Sequence, residues 1–489
     1  MNKPIRTISI FCLLLFLTLM LNATYLQYYQ AGALDEDPRN RRVLAASFSG
    51  ERGAILVGQD PVAKSEESGD KYEFQRLYPQ PMKYAPVTGF FAYANQTGLE
   101  RSQNEVLSGD DSLLFVTRLV DLLSNSTPKG GSVQLTLDPQ AQTAAYEGLQ
   151  GVGPTTQGAV VALEPSTGKI LAMASSPTYD PNDLATHDFE EYGDTYRRLE
   201  SDPAQPLLNR AIQTTLPPGS TFKVVTAAAA LESGNYSGSD SMVPGGATYQ
   251  LPLTSGESGE ITNGGRSCGT GRIPLIQALE QSCNTSFAAL ADEVGAEAMH
   301  EQAEAFGWNS DYLEDLSLQA RSAYPEGMDA AQTALSGFGQ SSVTSTPLQM
   351  AMAVAGIANS GSVMQPYLVD EVRSPELDVL DKTDATEFSQ AVSPETADTL
   401  KEMMVSTVTN GTATPAAIPG VDVGGKTGTA QSGRDNVPPY AWFISFAPAD
   451  DPQVAVAVMI QKADIPRGEI AGGAVAGPIA KSVMEAVIR

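Results

Sequence analysis

Histidine and cysteine are scarce in this chain, with two and three copies among 489 residues, and neither His187 nor His300 belongs to a recognisable motif. Zinc and transition-metal centres draw on Cys and His at short spacings, so no metal or other cofactor is expected. Positive charge is short as well: 30 Lys and Arg face 57 Asp and Glu, a formal net charge of −27. Phosphate backbones are bound by basic surfaces that release counterions, which argues against a nucleic-acid partner. Only one long apolar run is present. Lys3 and Arg6 precede "ISIFCLLLFLTLML", and mostly apolar character continues to Leu26, 19 residues from Ile8, where roughly 17 are enough to span a bilayer. The basic residues before it and the acidic "LDEDP" after it predict an N-terminus in the cytoplasm and the rest of the chain outside. A cleaved signal peptide is the alternative, since "AGA" at 31–33 has a small-x-small form. It lies 12 residues beyond Leu21, far for a cleavage region, and an uncleaved anchor is expected.

Hydrophobic residues make up 42% of the chain, enough for packed cores, and the length allows two to four domains. Cys12 falls in the apolar run, leaving Cys268 and Cys283 as the one pair beyond it. In an oxidising compartment these two are a disulfide candidate, closing a loop for a stabilisation of roughly 3 kcal/mol. Residues 36–130 are mixed and polar, with "ERGAILVGQDPVAKS" reading as a strand and turn. From "SVQLTLDPQAQTAAYEGLQG" onward the pattern changes to a strand leading into a helix. "GAVVALEPSTGKILAMASSP" alternates apolar residues around Pro-Ser-Thr-Gly, a hairpin signal. Residues 205–365 are mainly helical, with a Ser/Gly-rich loop excursion at 233–271. "GVDVGGKTGTAQS", "AWFISFAPA" and "QVAVAVMIQ" then read as three strands, followed by a closing helix. Early hairpin, intervening helices and late strands make an α+β domain around an antiparallel sheet.

In "LPPGSTFKVVTAAAALESG", two prolines and a glycine precede Ser220, and the helix-forming run behind them places Ser220 at a helix N-terminus with Lys223 one turn on. A serine hydroxyl becomes a nucleophile when a base removes its proton, and a lysine can serve only if its surroundings keep it neutral. The helix start would also offer backbone N–H groups to an oxyanion. A capping serine beside an exposed lysine is an equally good reading of this pattern alone. Ser-x-x-Lys recurs at Ser68/Lys71 in a charged loop, at Ser126/Lys129 in a linker-like stretch and at Ser166/Lys169 in the hairpin turn, so partners must choose. In "QSCNTSFAAL", Asn284 can hold a substrate amide and Ser282 can relay a proton, although Ser-x-Asn also occurs at Ser102/Asn104 and Ser233/Asn235. "GGKTGTA" is more specific: it holds the one Lys-Thr-Gly of the chain, in a strand whose glycines permit an acyl substrate to lie along it.

Ser-x-x-Lys, Ser-x-Asn and Lys-Thr-Gly in this order, the first opening a helix and the last on a strand, resemble the active-site set of penicillin-binding proteins and serine β-lactamases. The whole chain resembles the class B penicillin-binding proteins, and among them the short PbpA-type D,D-transpeptidases, through the anchor, "RGAI", "TLDPQAQ", "SSPTYDPN", "NRAIQTTLPPGSTFK", "GFGQSSVTSTPLQMA" and "GGKTGTA" followed by "AWFISFAP". One departure is "RGAILVGQDPVA", where many relatives carry Arg-Gly-x-Ile followed by Asp-Arg-x-Gly. The resemblance implies a β-lactamase/transpeptidase-like fold, a five-stranded antiparallel sheet with helices on both faces. It implies a cytoplasmic segment at 1–7, a transmembrane anchor at 8–26, a smaller N-terminal pedestal or interaction domain at 27–130 and the penicillin-binding domain at 131–489. It further implies that Ser220 is acylated, that Lys223 is its base, and that Ser282 and Asn284 line one wall with Asn284 on the donor amide. Lys426 and Thr427, followed by Gly428, would form the other wall and hold the substrate carboxylate. Thr429 would add a side-chain contact and a backbone N–H to the oxyanion hole beside that of Ser220.

On this reading the partners are peptidoglycan stem peptides, penicillin and other β-lactams, the cytoplasmic membrane, and proteins of cell division or elongation. Rival readings are a D,D-carboxypeptidase with the same acyl-enzyme, and a catalytically weak scaffold or β-lactam sensor. A β-lactamase would need a dedicated base to activate water, and no such residue is evident in the sequence. The N-terminal region is too short for a glycosyltransferase domain.

Overall fold

The computed structural model describes residues 3–30, 48–92, 95–115, 129–432 and 437–488. Its first element, α1 (Lys3–Thr24), continues through a wider turn at Tyr25–Tyr29. Mean hydropathy over the best 18-residue window of this stretch is 2.1, and none of that window is buried. A helix apolar on every side has no face to turn to water, and at about 1.5 Å per residue the 22 residues of α1 reach roughly 33 Å, a bilayer core. Cys12 lies exposed on it.

The next strands are β1 (Ile55–Val57), β2 (Asp60–Glu67), β3 (Phe74–Leu77) and β4 (Ser132–Leu135). They belong to a six-stranded sheet that also takes in Val369–Arg373 and Val379–Lys382 from much later in the chain. β4 pairs parallel with β1 and antiparallel with Val369–Arg373. Segments on both sides of residue 130 therefore share one sheet. Beneath it, Glu100 is fully buried and accepts from Arg52 Nε at 2.7 Å and Arg76 Nε at 2.6 Å. Burial alone would raise the Glu100 carboxyl, but Arg76 and Arg52 together hold it below its usual range.

After α2 (Pro139–Val152) comes the hairpin of β5 (Gln157–Leu163) and β6 (Ile170–Ser176). The helical region includes α3 (Lys223–Glu232), α4 (Asn284–Val294), α5 (Pro347–Ala358) and α6 (Pro394–Thr409). Three strands follow, β7 (Gly424–Ala430), β8 (Tyr440–Ala447) and β9 (Val454–Lys462), and then α7 (Gly477–Val487). The five strands form one antiparallel sheet in the order β7-β8-β9-β5-β6. Strand side chains alternate between faces, and both faces are covered here. In β9, Ala455, Ala457 and Met459 pack with α5, whose twelve residues are all buried. Val454, Val456, Val458 and Ile460 pack instead with α2 and α7. This double covering explains why β8 and β9 read as nearly continuous apolar runs, and it gives the five-stranded α+β architecture expected from the sequence. The excursion at 233–271 carries two short strand pairs, one of them closed by Arg272–Pro274. It is tied down by the Cys268–Cys283 disulfide, with Cα atoms 5.9 Å apart.

Candidate active site

Gly219 takes a φ of +56°, a value that a side chain would strain, and with Pro217 and Pro218 it turns the chain sharply into a single 3₁₀ turn, Gly219–Phe222. Ser220 lies in that turn, half-buried, and the α-helix proper begins at Lys223. The serine thus precedes the helix rather than opening it. The turn is held from both sides: Gly219 N donates to Gly339 O at 3.0 Å, and Leu216 exchanges backbone hydrogen bonds with Ser345. β7 comes against it at Gly428, where an added Cβ would lie 3.0 Å from Pro218 O and from Thr221 Cγ2. Glycine in the Lys-Thr-Gly strand is what lets that strand close on the Ser220 turn.

Lys223 and Lys426 have no exposed surface, and Ser282 has 1%. Lys223 Nζ donates to Ser282 O at 2.8 Å, Ser282 Oγ at 3.1 Å and Asn284 Oδ1 at 2.9 Å. Lys426 Nζ donates to the same Ser282 Oγ at 2.9 Å and to Thr427 O at 3.0 Å. One hydroxyl therefore bridges two lysines. Ser282 presents both its oxygens to Lys223 from a φ of +54°, a left-handed conformation costing about 1–3 kcal/mol for a residue with a side chain. Among the described residues no carboxylate bonds to either lysine. Burial, then the neighbouring charges of Lys426 and Arg266, push Lys223 well below its ordinary value. Burial and Arg266 bring Lys426 down to about 7. A lysine held this way keeps its lone pair at neutral pH and can take a proton.

Asn284 is the first residue of α4, and its Nδ2 donates to Thr262 O at 3.0 Å. On β7, Thr427 and Thr429 occupy alternate positions, half-buried and exposed, so one face of the strand offers both hydroxyls to the cleft. Thr427 Oγ1 lies 2.9 Å from Thr412 Oγ1. The fold thus brings the serine turn, Lys223, Ser282, Asn284 and the Lys426–Thr429 strand around one cleft. No hydrogen bond joins Lys223 to Ser220 in this state.

The competing pairs stay apart. Ser68 Oγ donates to Asp70 at 2.7 Å while Lys71 lies over the Tyr72 ring. Ser166 is an exposed turn residue and Lys169 pairs with Asp370 at 3.0 Å. Ser126 lies outside the described residues, and Lys129 pairs with Glu51 at 2.8 Å. Asn104, of the pair with Ser102, accepts from Arg52 at 2.9 Å; Ser233 and Asn235 sit at the far end of α3. His187 pairs with Asp70 at 2.7 Å and His300 with Glu304 at 3.2 Å. Two residues of the cleft escaped sequence reasoning. Thr412 lies 15 positions before Thr427 in a loop with no motif. Arg266 was findable, since it stands two residues from Cys268, whose partner is the middle residue of Ser-Cys-Asn.

Residues 158–485 match the model for the penicillin binding protein transpeptidase domain, and 52–133 match the penicillin binding protein A dimerisation domain. The chain is 42% identical over 502 residues to peptidoglycan D,D-transpeptidase PbpA of Mycolicibacterium smegmatis, covering 100% of this chain and 99% of the relative. It is also 42% identical over 496 residues to PbpA of Mycobacterium tuberculosis, with the same coverage. Among solved structures, the crystal structure of PBPA from M. tuberculosis superposes with a TM-score of 0.84 at 42% identity, covering 90% of this chain and 100% of that one. The penicillin G acyl-enzyme complex of that protein gives 0.84 at 42% identity, covering 90% and 99%.

Proposed function

This chain belongs to the class B penicillin-binding protein transpeptidases, and from that premise we propose that it cross-links peptidoglycan through an acyl-enzyme on Ser220. A stem peptide ending in D-Ala-D-Ala lies along β7, with its terminal carboxylate on Lys426 and Thr427 and its upstream amide on Asn284. Neutral Lys223 takes the Ser220 proton as Oγ attacks the carbonyl carbon. The oxyanion is met by the backbone N–H groups of Ser220 and Thr429. The C–N bond then breaks, and D-Ala leaves with a proton passed from Lys223 along Ser282. An amine of a second stem peptide attacks the ester, gives its proton to the same base, and leaves as an amide while Ser220 Oγ is reprotonated. β-Lactams acylate Ser220 in the same way. No carboxylate bonds to Ser220, Lys223, Ser282, Asn284 or Lys426 among the described residues, so the additional base that rapid β-lactam hydrolysis calls on is not among the hydrogen-bond partners of this site.

The observation that carries this reading is the pair of buried, acid-free lysines bridged by Ser282 Oγ. Intact-mass spectrometry after incubation with penicillin G tests it. A stable single adduct on Ser220 is expected, and S220A should show none; an adduct surviving that change would refute the assignment. With stem peptide and an added amine, cross-linked product is expected.

The apolar helix at 8–26 anchors the chain in the cytoplasmic membrane with 1–7 inside. Residues 27–130 then serve as a pedestal that raises the catalytic region 131–489 outside and offers a surface to division or elongation proteins. Reporter fusions at either end of the helix test this topology, and a cytoplasmic reading for the catalytic region would overturn it.

A further inference from the structure

The two buried lysines are not the only basic side chains at the cleft. Residues 262–268 form a short turn beside it, fixed at both ends to the segment that carries Ser282 and Asn284. At one end Thr262 O accepts from Asn284 Nδ2 at 3.0 Å. Next to it, Asn263, 2% exposed, accepts from Thr285 N at 3.0 Å and donates to Gly246 O at 2.8 Å. At the other end Cys268 is bonded to Cys283, the residue between Ser282 and Asn284. Gly264 and Gly265, at φ +59° and +83°, reverse the chain between these anchors and leave Arg266 exposed at the rim. Its charge reaches both Lys223 and Lys426, and it forms no ion pair among the described residues. A chain with 57 acidic residues thus gathers three basic side chains at one cleft, and among the described residues no acid bonds to any of them. Like charges gathered this way repel, and an anion brought by a ligand relieves the cost.

We propose that Arg266 is a specificity residue that receives a second carboxylate of the donor peptide, upstream of its terminal D-Ala-D-Ala. Lys426 and Thr427 on β7 already account for the terminal carboxylate. Arg266 stands on the opposite wall, joined through Thr262 to the Asn284 amide that holds the upstream backbone, and so faces the donor residues before the scissile bond. A guanidinium suits this work because its planar fork takes a carboxylate through two parallel hydrogen bonds. The tether matters equally, since a backbone already held at both ends has less freedom to lose when the ligand binds.

This inference rests on the transpeptidase reading, and its test separates the two. Two donor peptides differing in one group, a carboxylate or a carboxamide on the residue before D-Ala-D-Ala, are compared by kcat/KM for D-Ala release with wild type, R266Q and R266K. Penicillin G acylation is followed in parallel. Wild type should prefer the carboxylate donor by about tenfold, the lower end for a hydrogen-bonded charge pair at a wet rim. R266Q should lose that preference and R266K should keep part of it. Because the Arg266 charge also acts on Lys223, any change in the base appears equally in both donors and in penicillin acylation and cancels in the ratio of the two donors. A preference that persists in R266Q overturns the proposal. An equal slowing of both donors and penicillin with the ratio of the donors unchanged is that outcome, and would leave Arg266 acting only through its charge on the two lysines. Failure of penicillin to acylate wild type would overturn the transpeptidase reading itself.

Discussion

Glu100 lies between Arg52 and Arg76 at 2.7 and 2.6 Å, and Ser282 Oγ lies between Lys223 and Lys426 at 3.1 and 2.9 Å; all four cations are buried. In the first cluster an acid answers the charge, further acceptors such as Asn104 Oδ1 and Gly53 O take other guanidinium N–H groups, and the carboxyl stays ionised. In the second a neutral hydroxyl stands where an acid would be, and both lysines are driven towards their neutral forms. Burying a charge costs several kcal/mol unless a partner compensates it. Where the partner is present, the fold gains a fixed joint between Glu100 and strands of the six-stranded sheet. Where it is withheld, the fold keeps two amines held towards their neutral forms, the condition a general base needs near neutral pH.

Exchanging the consequences of the two clusters is the most direct way to break this contrast. K223M should lower penicillin acylation by about 10³-fold, the scale of a lost general base, yet change stability by no more than about 1 kcal/mol, because relief of desolvation offsets the lost hydrogen bonds. Stopped-flow acylation and thermal melts measure the two quantities. E100Q should do the reverse: a loss of roughly 3–5 kcal/mol in chemical denaturation, since it leaves two buried guanidinium groups short of charge, with the acylation rate of the remaining folded protein nearly unchanged. A stable E100Q chain, or a K223M chain as unstable as E100Q, would erase the distinction.

Titration sharpens the contrast through opposite signs. Glu100 ionises in the fold more readily than when unfolded, so it stabilises above the usual carboxylate value of about 4.3 and loses that contribution as pH falls through its folded value. Lys426, brought down to about 7, binds its proton less readily in the fold. Its penalty is therefore fully present below about 7 and is relieved as pH rises from there towards the unfolded value near 10.5. The stability difference between K426M and wild type should shrink over that window. In wild type, KM for a carboxylate-bearing donor should rise above pH 7 as Lys426 loses its charge. A flat KM would show that Lys426 does not meet the carboxylate as a cation. The smallest effect expected is that of T412V, which removes the hydroxyl 2.9 Å from Thr427 Oγ1. A loss of about fivefold in kcat/KM, close to 1 kcal/mol, should appear mainly in KM for carboxylate-bearing ligands if Thr412 positions Thr427.

The residues around the cleft were legible because they sit at spacings that local structure decides. Residues three apart at a helix start share a face, which puts Lys223 behind Ser220, and alternate strand residues share a face, which exposes Thr427 and Thr429 together. The late strands were legible by composition, and the disulfide by the location of Cys12 in the apolar run. Less was visible at 216–223, where Gly219 and the prolines tighten the chain into a 3₁₀ turn before the helix begins. The six-stranded sheet was not visible, because pairing 55–57 with 132–135, and that strand with 369–373, leaves no local pattern.

By itself, then, the sequence pointed to the residues that the structure gathers at one cleft, to the elements that hold them and to an apolar helix long enough to span a bilayer, because helix and strand periods act over a few residues. The tertiary structure alone decided that Lys223 and Lys426 meet over Ser282 without an acid, that Thr412 braces Thr427, and that Arg266 stands at the rim. Desolvation and Coulomb fields depend on what lies within several ångströms in space, and at this cleft that means segments separated by up to some two hundred positions in the chain.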